Sequence, residues 1–176
     1  MGLRPNVPMI SFRGRREIEL LLTKESRIIE FGSGNSTQWS AARVAEVLSI
    51  EDDPTWFEHV RRQLAEKGIQ NVRHELRTEA TYADLSGVED GSIDFALVDG
   101  TDRAACIKSV LPKLKKVSAL YLDNSDKDMT KPDGDLRQAE KALLEGTRNR
   151  GGSVRYFSDF SPTNFFVEQG MLVKFS

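Results

Sequence analysis

Glycines and acidic residues alternate near the start of the sequence in an order that can form a nucleotide site. Glu30 lies in an apolar run, Gly32 and Gly34 follow it, and Glu51 ends the next apolar run. In a strand, turn and helix arrangement, the glycines let the backbone approach a ligand, helix N–H groups favour an anion, and the second acid binds ribose hydroxyls. We therefore expect a site for a nucleoside-containing cofactor. The alternative for Glu51 is a solvated acid at a strand end.

The glycine spacing departs from the two common phosphate-binding loops. A dinucleotide fingerprint would need a third glycine where the chain has Thr37. A Walker loop needs Gly-Lys followed by Ser or Thr, and the chain contains no such tripeptide. A nicotinamide cofactor is therefore the weaker alternative.

A second set of polar side chains follows two later apolar runs. Asp99 ends one run, and Asp123 with Asn124 ends the next. In a parallel sheet these strand ends meet in one crevice, where ligands bind. Two carboxylates and an amide oxygen suit Mg²⁺. Alternatively, Asp99 forms a tight turn with Gly100, and Asp123-Asn124 forms an Asx-turn.

A parallel sheet is needed to bring these residues together, and the rest of the chain has the required alternation of short apolar runs and longer amphipathic segments. We predict strands at residues 27–31, 47–51, 72–76, 93–98, 119–122, 154–157, 164–166 and 171–175, with Gly170 at a turn or bulge. We predict helices at residues 11–24, 37–45 with Ser36 as N-cap, 54–67, 103–116 and 135–150. Within 103–116, Pro112 is expected either to kink the helix or to mark a new first turn. The expected fold is α/β: a doubly wound, mostly parallel sheet with helices on both faces and an antiparallel last strand.

Length and composition predict one soluble domain, residues 1–176, with an arm and helix at 1–26 and the core at 27–176. The 25 basic and 27 acidic residues give a net charge of −2, so we expect no nucleic-acid partner. The lone Cys106 excludes an internal disulfide. No apolar run is long enough to cross a membrane, and no signal peptide is evident, so we expect a cytoplasmic protein without membrane contact. A homodimer is left open.

The segment Glu30-Phe31-Gly32-Ser33-Gly34-Asn35-Ser36 resembles the first motif of class I S-adenosylmethionine-dependent methyltransferases, which have a Rossmann-like fold. Residues 49–54 and 93–100 resemble the second and fourth strand endings of that family, and the likeness covers about residue 27 to the end. The resemblance implies that the methionyl carboxylate lies on the backbone around 32–37, that Glu30 lines the ammonium end and that Glu51 holds the ribose. The implied cofactor residues are Glu30, Gly32, Ser33, Gly34, Asn35, Ser36, Glu51, Asp52 and Asp99.

Asp99, Asp123 and Asn124 resemble the metal ligands of catechol O-methyltransferase and its small metal-dependent relatives. The resemblance implies Mg²⁺ as a second cofactor, which would lower the pKa of a bound hydroxyl and hold it near the methyl group. The chain departs from those relatives at Asp102, near where they place a catalytic lysine, and at Val117-Ser118, which replaces Gly-Gly. We name Asp99 and Lys127 as the catalytic candidates.

These observations together predict an S-adenosylmethionine-dependent methyltransferase that acts on an oxygen of a small-molecule acceptor. A binding or scaffold module that keeps the fold without catalysis is the alternative from another class, since the lysine equivalent is absent. A small NAD-binding oxidoreductase is a third alternative, which Thr37 disfavours.

Overall fold

The computed structural model describes residues 7–162 and 167–176, in which one seven-stranded sheet forms the centre of the fold. The strands are β1 (Arg27–Phe31), β2 (Glu46–Glu51), β3 (Val72–Leu76), β4 (Ile93–Val98), β5 (Leu114–Leu122), β6 (Gly152–Phe160) and β7 (Val167–Phe175). Their order across the sheet is β3-β2-β1-β4-β5-β7-β6. Strands β1 to β5 are parallel, and β7 runs antiparallel to both of its neighbours.

Five α-helices in the described part of the chain cover the sheet: α1 (Phe12–Leu21), α2 (Asn35–Ala41), α3 (Pro54–Glu66), α4 (Arg103–Val110) and α5 (Asp135–Arg150). One core cluster includes Cys106 of α4 and Leu143 of α5. The other includes Ile18 of α1 and Trp39 of α2, against the opposite face of the sheet. Because the central strands β1, β2 and β4 are buried on both faces, they read as nearly continuous apolar runs in the sequence. The doubly wound α/β fold with an antiparallel last strand is confirmed.

The helix predicted at 103–116 is wrong in its second half. Helix α4 ends at Val110, a short 3₁₀ turn follows at Leu111–Lys113, and β5 already begins at Leu114. Pro112 causes the change because it has no N–H to continue the α-helical pattern and fits the first turn of a new helical segment. Strand β5 is therefore longer than the predicted 119–122.

The predicted start of the second helix is also wrong. Helix α2 begins at Asn35 with Gly34 as its N-cap, so Ser36 lies inside the helix. The hydroxyl of Thr37 accepts a hydrogen bond from the Gly34 N–H at 2.9 Å. The side-chain contact at this helix start therefore comes from Thr37 rather than from Ser36.

Near the carboxyl terminus, the strand predicted at 154–157 extends over Gly152–Phe160, and the one at 171–175 extends over Val167–Phe175. The predicted strand at 164–166 lies outside the described residues. Gly170 forms no turn but pairs with Phe157 inside β7. A Cβ at Gly170 would lie 1.8 Å from the Tyr121 hydroxyl, so close packing requires glycine here.

Backbone hydrogen bonds extend the parallel pairing one residue beyond three strand ends. Gly32 N–H donates to the Ile50 carbonyl at 2.9 Å, and Asp99 N–H donates to the Phe31 carbonyl at 2.9 Å. Asp123 N–H donates to the Val98 carbonyl at 3.0 Å. The residues that follow β1, β4 and β5 are therefore fixed side by side at the carboxyl edge of the sheet.

Candidate functional site

A cavity of about 460 Å³ opens at the carboxyl edge of the sheet. Its lining includes eight of the nine residues assigned to the cofactor from the sequence: Gly32, Ser33, Gly34, Asn35, Ser36, Glu51, Asp52 and Asp99. The ninth, Glu30, is not among the lining residues and is fully buried beneath them. Met9, Trp56, Gly100 and Thr101 complete the lining. The structure thus brings sequence-predicted residues at the carboxyl ends of β1, β2 and β4 into one cavity.

The glycines at the first and third positions of the glycine loop, residues 32–36, have different surroundings. Gly32 has a φ of +92°, and a Cβ there would lie 2.9 Å from the backbone nitrogen of Gly100. Gly34 has an extended φ of 165°. A Cβ at Gly34 would find its nearest neighbours, two Trp56 ring atoms, at 3.9 Å. Gly32 therefore lets two backbones meet, whereas Gly34 leaves space open on the cavity side of the loop.

Glu51 holds the glycine loop to the end of β2. Its Oε2 accepts hydrogen bonds from the N–H and the hydroxyl of Ser33, both at 2.9 Å. Its Oε1 accepts from the N–H groups of Asp52 at 3.0 Å and Asp53 at 3.1 Å. Since each carboxylate oxygen accepts about two hydrogen bonds, Glu51 is fully partnered within the chain. A ligand hydroxyl at Glu51 would have to replace one of these donors, and the Ser33 hydroxyl is the most easily rotated.

Two contacts close the walls of the cavity beside Glu51. The Trp56 indole N–H donates to the Ser33 carbonyl at 2.7 Å, while 47% of the residue's surface stays exposed. The Thr101 hydroxyl donates to the Asp52 carboxylate at 2.8 Å, which joins the loop after β4 to the loop after β2. Trp56 thus offers a flat apolar surface beside the glycine loop, as an aromatic ring of a ligand would require.

Glu30 supports the loop from inside the sheet. Its Oε2 accepts hydrogen bonds from the hydroxyls of Thr37 at 2.5 Å and Ser49 at 2.8 Å. Its Oε1 is buried and has no hydrogen-bond partner among the described residues. Burial raises the pKa of Glu30 to about 7, and the neighbouring hydroxyls oppose that shift. Glu30 therefore changes charge readily near neutral pH, behind the loop rather than in the cavity.

Asp99 and Asp123 form a carboxyl pair at the ends of β4 and β5. Asp99 lines the cavity and keeps 32% of its side chain exposed, whereas Asp123 is 2% exposed. Burial raises the pKa of both carboxyls, and the charge of Asp99 raises that of Asp123 further, well above its usual range. The two carboxyls therefore influence each other's ionisation, and Asp123 is the more strongly shifted of the two.

Arg103 was placed in the correct loop by the sequence but interpreted as a surface charge, and the structure shows that it is buried in the site. It is 8% exposed, and its guanidinium donates to the carbonyls of Asp99 at 3.0 Å, Gly100 at 2.8 Å and Asp123 at 2.9 Å. It also lies 3.3 Å from Asp99 Oδ1. A cation in the first turn of a helix is unfavourable, and this placement was the available signal in the sequence. Arg103 ties the ends of β4 and β5 together and partly neutralises the carboxyl pair.

The two remaining predicted site residues lie farther along the loop after β5. Asn124 is buried, and its Oδ1 accepts a hydrogen bond from the exposed Lys127 amine at 2.8 Å. Lys127 is not among the residues that line the cavity. The structure therefore places Lys127 near the carboxyl pair but outside the cavity itself.

The predicted magnesium donors do not fit a metal site as they are arranged. An Asp99 oxygen faces Arg103, and the Asn124 oxygen faces Lys127, so two of the three donors already contact a cation of the chain. Asp123 Oδ1 is buried and lacks a hydrogen-bond partner among the described residues. Within residues 7–162 and 167–176, no group of three or more His, Cys, Asp or Glu side chains is suited to a metal ion.

Solved structures of several methyltransferases share this architecture. A protein from Klebsiella pneumoniae proposed to be an O-methyltransferase superimposes with a TM-score of 0.70 at 17% identity, covering 86% of this chain and 73% of that one. A proposed methyltransferase from Streptococcus mutans, bound to SAH, gives 0.65 at 17% identity and covers 99% of both chains. An rRNA methylase from Streptococcus thermophilus gives 0.67 at 16% identity, covering 96% and 99%. A comparison with curated protein sequences finds no significant match.

The sheet order and the cavity at the strand ends are those of the Rossmann-like fold that these solved methyltransferase structures share. The model of a family described as a methyltransferase domain matches residues 29–125, which is more than half of the sequence. The chain belongs to this methyltransferase family.

No helix among the described residues is both long and apolar enough to cross a membrane.

Proposed function

We propose that this methyltransferase binds S-adenosylmethionine in the cavity and transfers the methyl group to an oxygen of a small-molecule acceptor. The observation that carries the proposal is that one cavity is lined both by the glycine loop and by Asp99. A cofactor on the loop and an acceptor beside Asp99 would therefore meet in the same space. Proximity of this kind supplies much of the rate of a displacement reaction.

The cofactor contacts are assigned from the loop outward. The open side of Gly34 leaves the backbone accessible to the methionyl end, while Ser33, Asn35 and Ser36 line the same wall. Glu51 and Asp52 are the acids at the ribose, with the Ser33 hydroxyl rotating away from Glu51 when a ribose hydroxyl arrives. Glu30 acts from behind the loop, where its unpartnered oxygen and variable charge favour the cationic ammonium end.

When bound, S-adenosylmethionine would supply the methyl group: its bond to the sulfonium sulfur would break as the acceptor oxygen bonds to that methyl, and S-adenosylhomocysteine would leave. Asp99 takes the hydroxyl proton that the acceptor oxygen loses. Arg103 keeps the two carboxyls at the ends of β4 and β5 in place. Lys127, at the rim, stabilises negative charge that develops on the acceptor oxygen. Positioned acid–base groups of this kind contribute about 10²–10⁴-fold.

Mg²⁺ at Asp99, Asp123 and Asn124 stays a prediction that this mechanism does not use, because Arg103 and Lys127 already contact two of those side chains. Addition of a chelator separates the two accounts. A metal-independent enzyme keeps its activity in excess chelator. Loss of activity with unchanged cofactor affinity would show that a metal ion takes part in the reaction.

Calorimetric titration with S-adenosylhomocysteine, S-adenosylmethionine and NAD tests the cofactor assignment. We expect S-adenosylhomocysteine to bind and NAD to bind more weakly. Glu51→Ala should weaken S-adenosylhomocysteine binding about ten- to a hundredfold, because charge-assisted hydrogen bonds to the ribose are lost. Tight NAD binding without S-adenosylhomocysteine binding would contradict the proposal.

The acceptor is tested separately, with S-adenosylmethionine that carries a labelled methyl group. We expect label in hydroxylated small molecules, and we expect less in their amino analogues and in RNA of mixed sequence. Label in RNA would replace the small-molecule acceptor with a nucleic acid, which is what the name of the Streptococcus thermophilus protein describes for that protein. Cofactor binding without label in any acceptor class would favour the scaffold alternative.

A further inference from the structure

Strand β6 forms one edge of the sheet and is the longer of the two edge strands. It has nine residues and pairs with β7 on one side, whereas the opposite edge, β3, has five residues. Tyr156 and Phe160 of β6 are 44% and 52% exposed. A long edge strand with exposed apolar side chains is a template for pairing with another strand.

The side chains of β6 alternate between two helices. Arg155 and Asp159 form ion pairs with Glu17 and Arg13 of α1, and Phe157 packs into the same core cluster as α1. On the other face, the Tyr156 hydroxyl donates to Glu140 of α5. Residues 155, 157 and 159 therefore share one face of the strand, and residues 154, 156, 158 and 160 share the other.

This pattern is self-complementary in one antiparallel register. If Phe157 lies opposite Phe157 of a second copy, each Arg155 lies opposite an Asp159, and each Val154 lies opposite a Phe160. Shifting the pairing by two residues in either direction removes both charge pairs, and centring it on Arg155 or Asp159 places like charges together. Residues that lie opposite each other in a ladder point to the same face of the sheet. The allowed registers are therefore those that pair odd-numbered residues with odd-numbered ones and even-numbered with even-numbered ones.

We propose that the protein forms a homodimer in which the β6 strands of two copies pair antiparallel about Phe157 and join the two sheets. The interface is isologous, so both Arg155–Asp159 pairs form together. It also buries both exposed Phe160 rings against Val154. The catalytic edges of the two sheets then point in opposite directions, and neither cavity is covered by the joined strands.

Two ion pairs within the chain compete with the dimer. Arg155 leaves Glu17, which keeps Lys174 at 3.2 Å, and Asp159 leaves Arg13, whose side chain is 68% exposed. The arginine side of each pair is exposed, whereas Glu17 and Asp159 are partly buried, and Asp159 also accepts a hydrogen bond from the Arg13 N–H at 3.2 Å. The exchange therefore costs little at the arginines and more at Asp159. Because Arg13 also donates to the Ser158 carbonyl at 3.1 Å, Arg13→Ala should strengthen the dimer.

Light scattering coupled to size-exclusion chromatography, over a concentration series of the full chain, tests the proposal. The wild type should approach twice the 19.8 kDa chain mass as concentration rises. Arg155→Asp and Asp159→Arg should each weaken the dimer at least about tenfold, since each places like charges opposite one another. A mixture of the two variants should form a heterodimer, because positions 155 and 159 are then both acidic in one chain and both basic in the other.

The control is Arg73→Asp, which reverses the corresponding charge on the other edge strand. It should leave the dimer unchanged, and circular dichroism should show that all three variants are folded. A wild type that stays monomeric at every concentration overturns the proposal. So does a dimer that Arg73→Asp dissociates, or one that Arg155→Asp and Asp159→Arg both leave intact.

Discussion

The two sides of the cavity differ in how their carboxylates are partnered. On one side, Glu51 holds the glycine loop and has all its hydrogen-bond partners within the chain. On the other side, Asp99 and Asp123 share one cation, Arg103. We call residues 32–36 with Glu51 the donor side, and Asp99, Arg103, Asp123 and Asn124 the acceptor side. On the donor side, Glu51 accepts four hydrogen bonds from backbone and hydroxyl groups. On the acceptor side, Asp123 is buried with one oxygen unpartnered among the described residues.

The two sides also differ in which residues adopt a positive φ. Among the described residues, the non-glycine residues with positive φ are Asp102 at 42°, Asn124 at 54° and Asp128 at 59°, and all three lie in the loops after β4 and β5. On the donor side the positive φ falls on Gly32, which adopts it without strain. Positive φ at non-glycine residues clusters at functional sites. Under the proposed mechanism, the donor side therefore binds the cofactor and the acceptor side carries the reacting groups.

Asp99→Asn should have the largest effect on the acceptor side. Methyl transfer should fall about 10²–10⁴-fold because the proton acceptor is lost, while S-adenosylhomocysteine affinity changes less than about threefold. Label transfer and calorimetry measure the two quantities. Asp94→Asn, near the opposite end of β4 beside Lys115, is the matched control and should change neither. Equal losses of rate and affinity in Asp99→Asn would remove the distinction between the two sides.

Glu30→Gln should have the next largest effect, on stability. The folded state raises the pKa of Glu30 from 4.5 to about 7, so the folded chain binds this proton more tightly than the unfolded chain does. Wild-type stability therefore falls as the pH rises from about 4.5 to about 7, by about 3 kcal/mol from this group. Denaturant unfolding should show Glu30→Gln equal to wild type at pH 4 and more stable at pH 8.

Glu58→Gln is the control for that measurement, since hydrogen bonding to Arg61 lowers the pKa of this exposed carboxyl. It should give no gain in stability at pH 8. A stability difference between Glu30→Gln and wild type that is the same at both pH values would show that Glu30 does not titrate in this range.

Trp56→Phe should have the smallest effect. It removes one hydrogen bond, from the indole to the Ser33 carbonyl, and keeps an aromatic surface. We expect S-adenosylhomocysteine affinity to fall about fivefold, which corresponds to about 1 kcal/mol. Trp39→Phe, on the core-facing side of α2, should lower thermal stability without a specific effect on affinity. The reverse pattern would place the cofactor away from Trp56.

The donor side was predictable from the sequence because its residues are close together in the chain. Gly32, Gly34 and Glu51 follow strands whose apolar runs are unambiguous, and the motif itself implies a turn between strand and helix. Local capping was harder, since Ser36 and Thr37 are both able to accept from a backbone N–H. The structure shows that Thr37 makes the bond to Gly34.

The acceptor side was only partly predictable. Strand ends place Asp99 and Asp123 together, and that much follows from a parallel sheet. The role of Arg103 depends on carbonyl groups at the ends of two strands far apart in sequence, and residue type alone does not show it. The sequence around Pro112 was misleading. Its amphipathic periodicity continues past Pro112 and suggests a helix, although β5 already begins at Leu114.

Calorimetric titration of Gly34→Val with S-adenosylhomocysteine tests the central claim that the glycine loop is the cofactor site. The Val side chain enters the open space on the cavity side of Gly34, so we predict affinity at least about tenfold weaker with a thermal midpoint close to wild type. Gly87→Val, where a Cβ meets nothing within 4 Å, is the matched glycine control and should bind as wild type does. Wild-type affinity in a folded Gly34→Val protein would contradict the account and place the cofactor elsewhere.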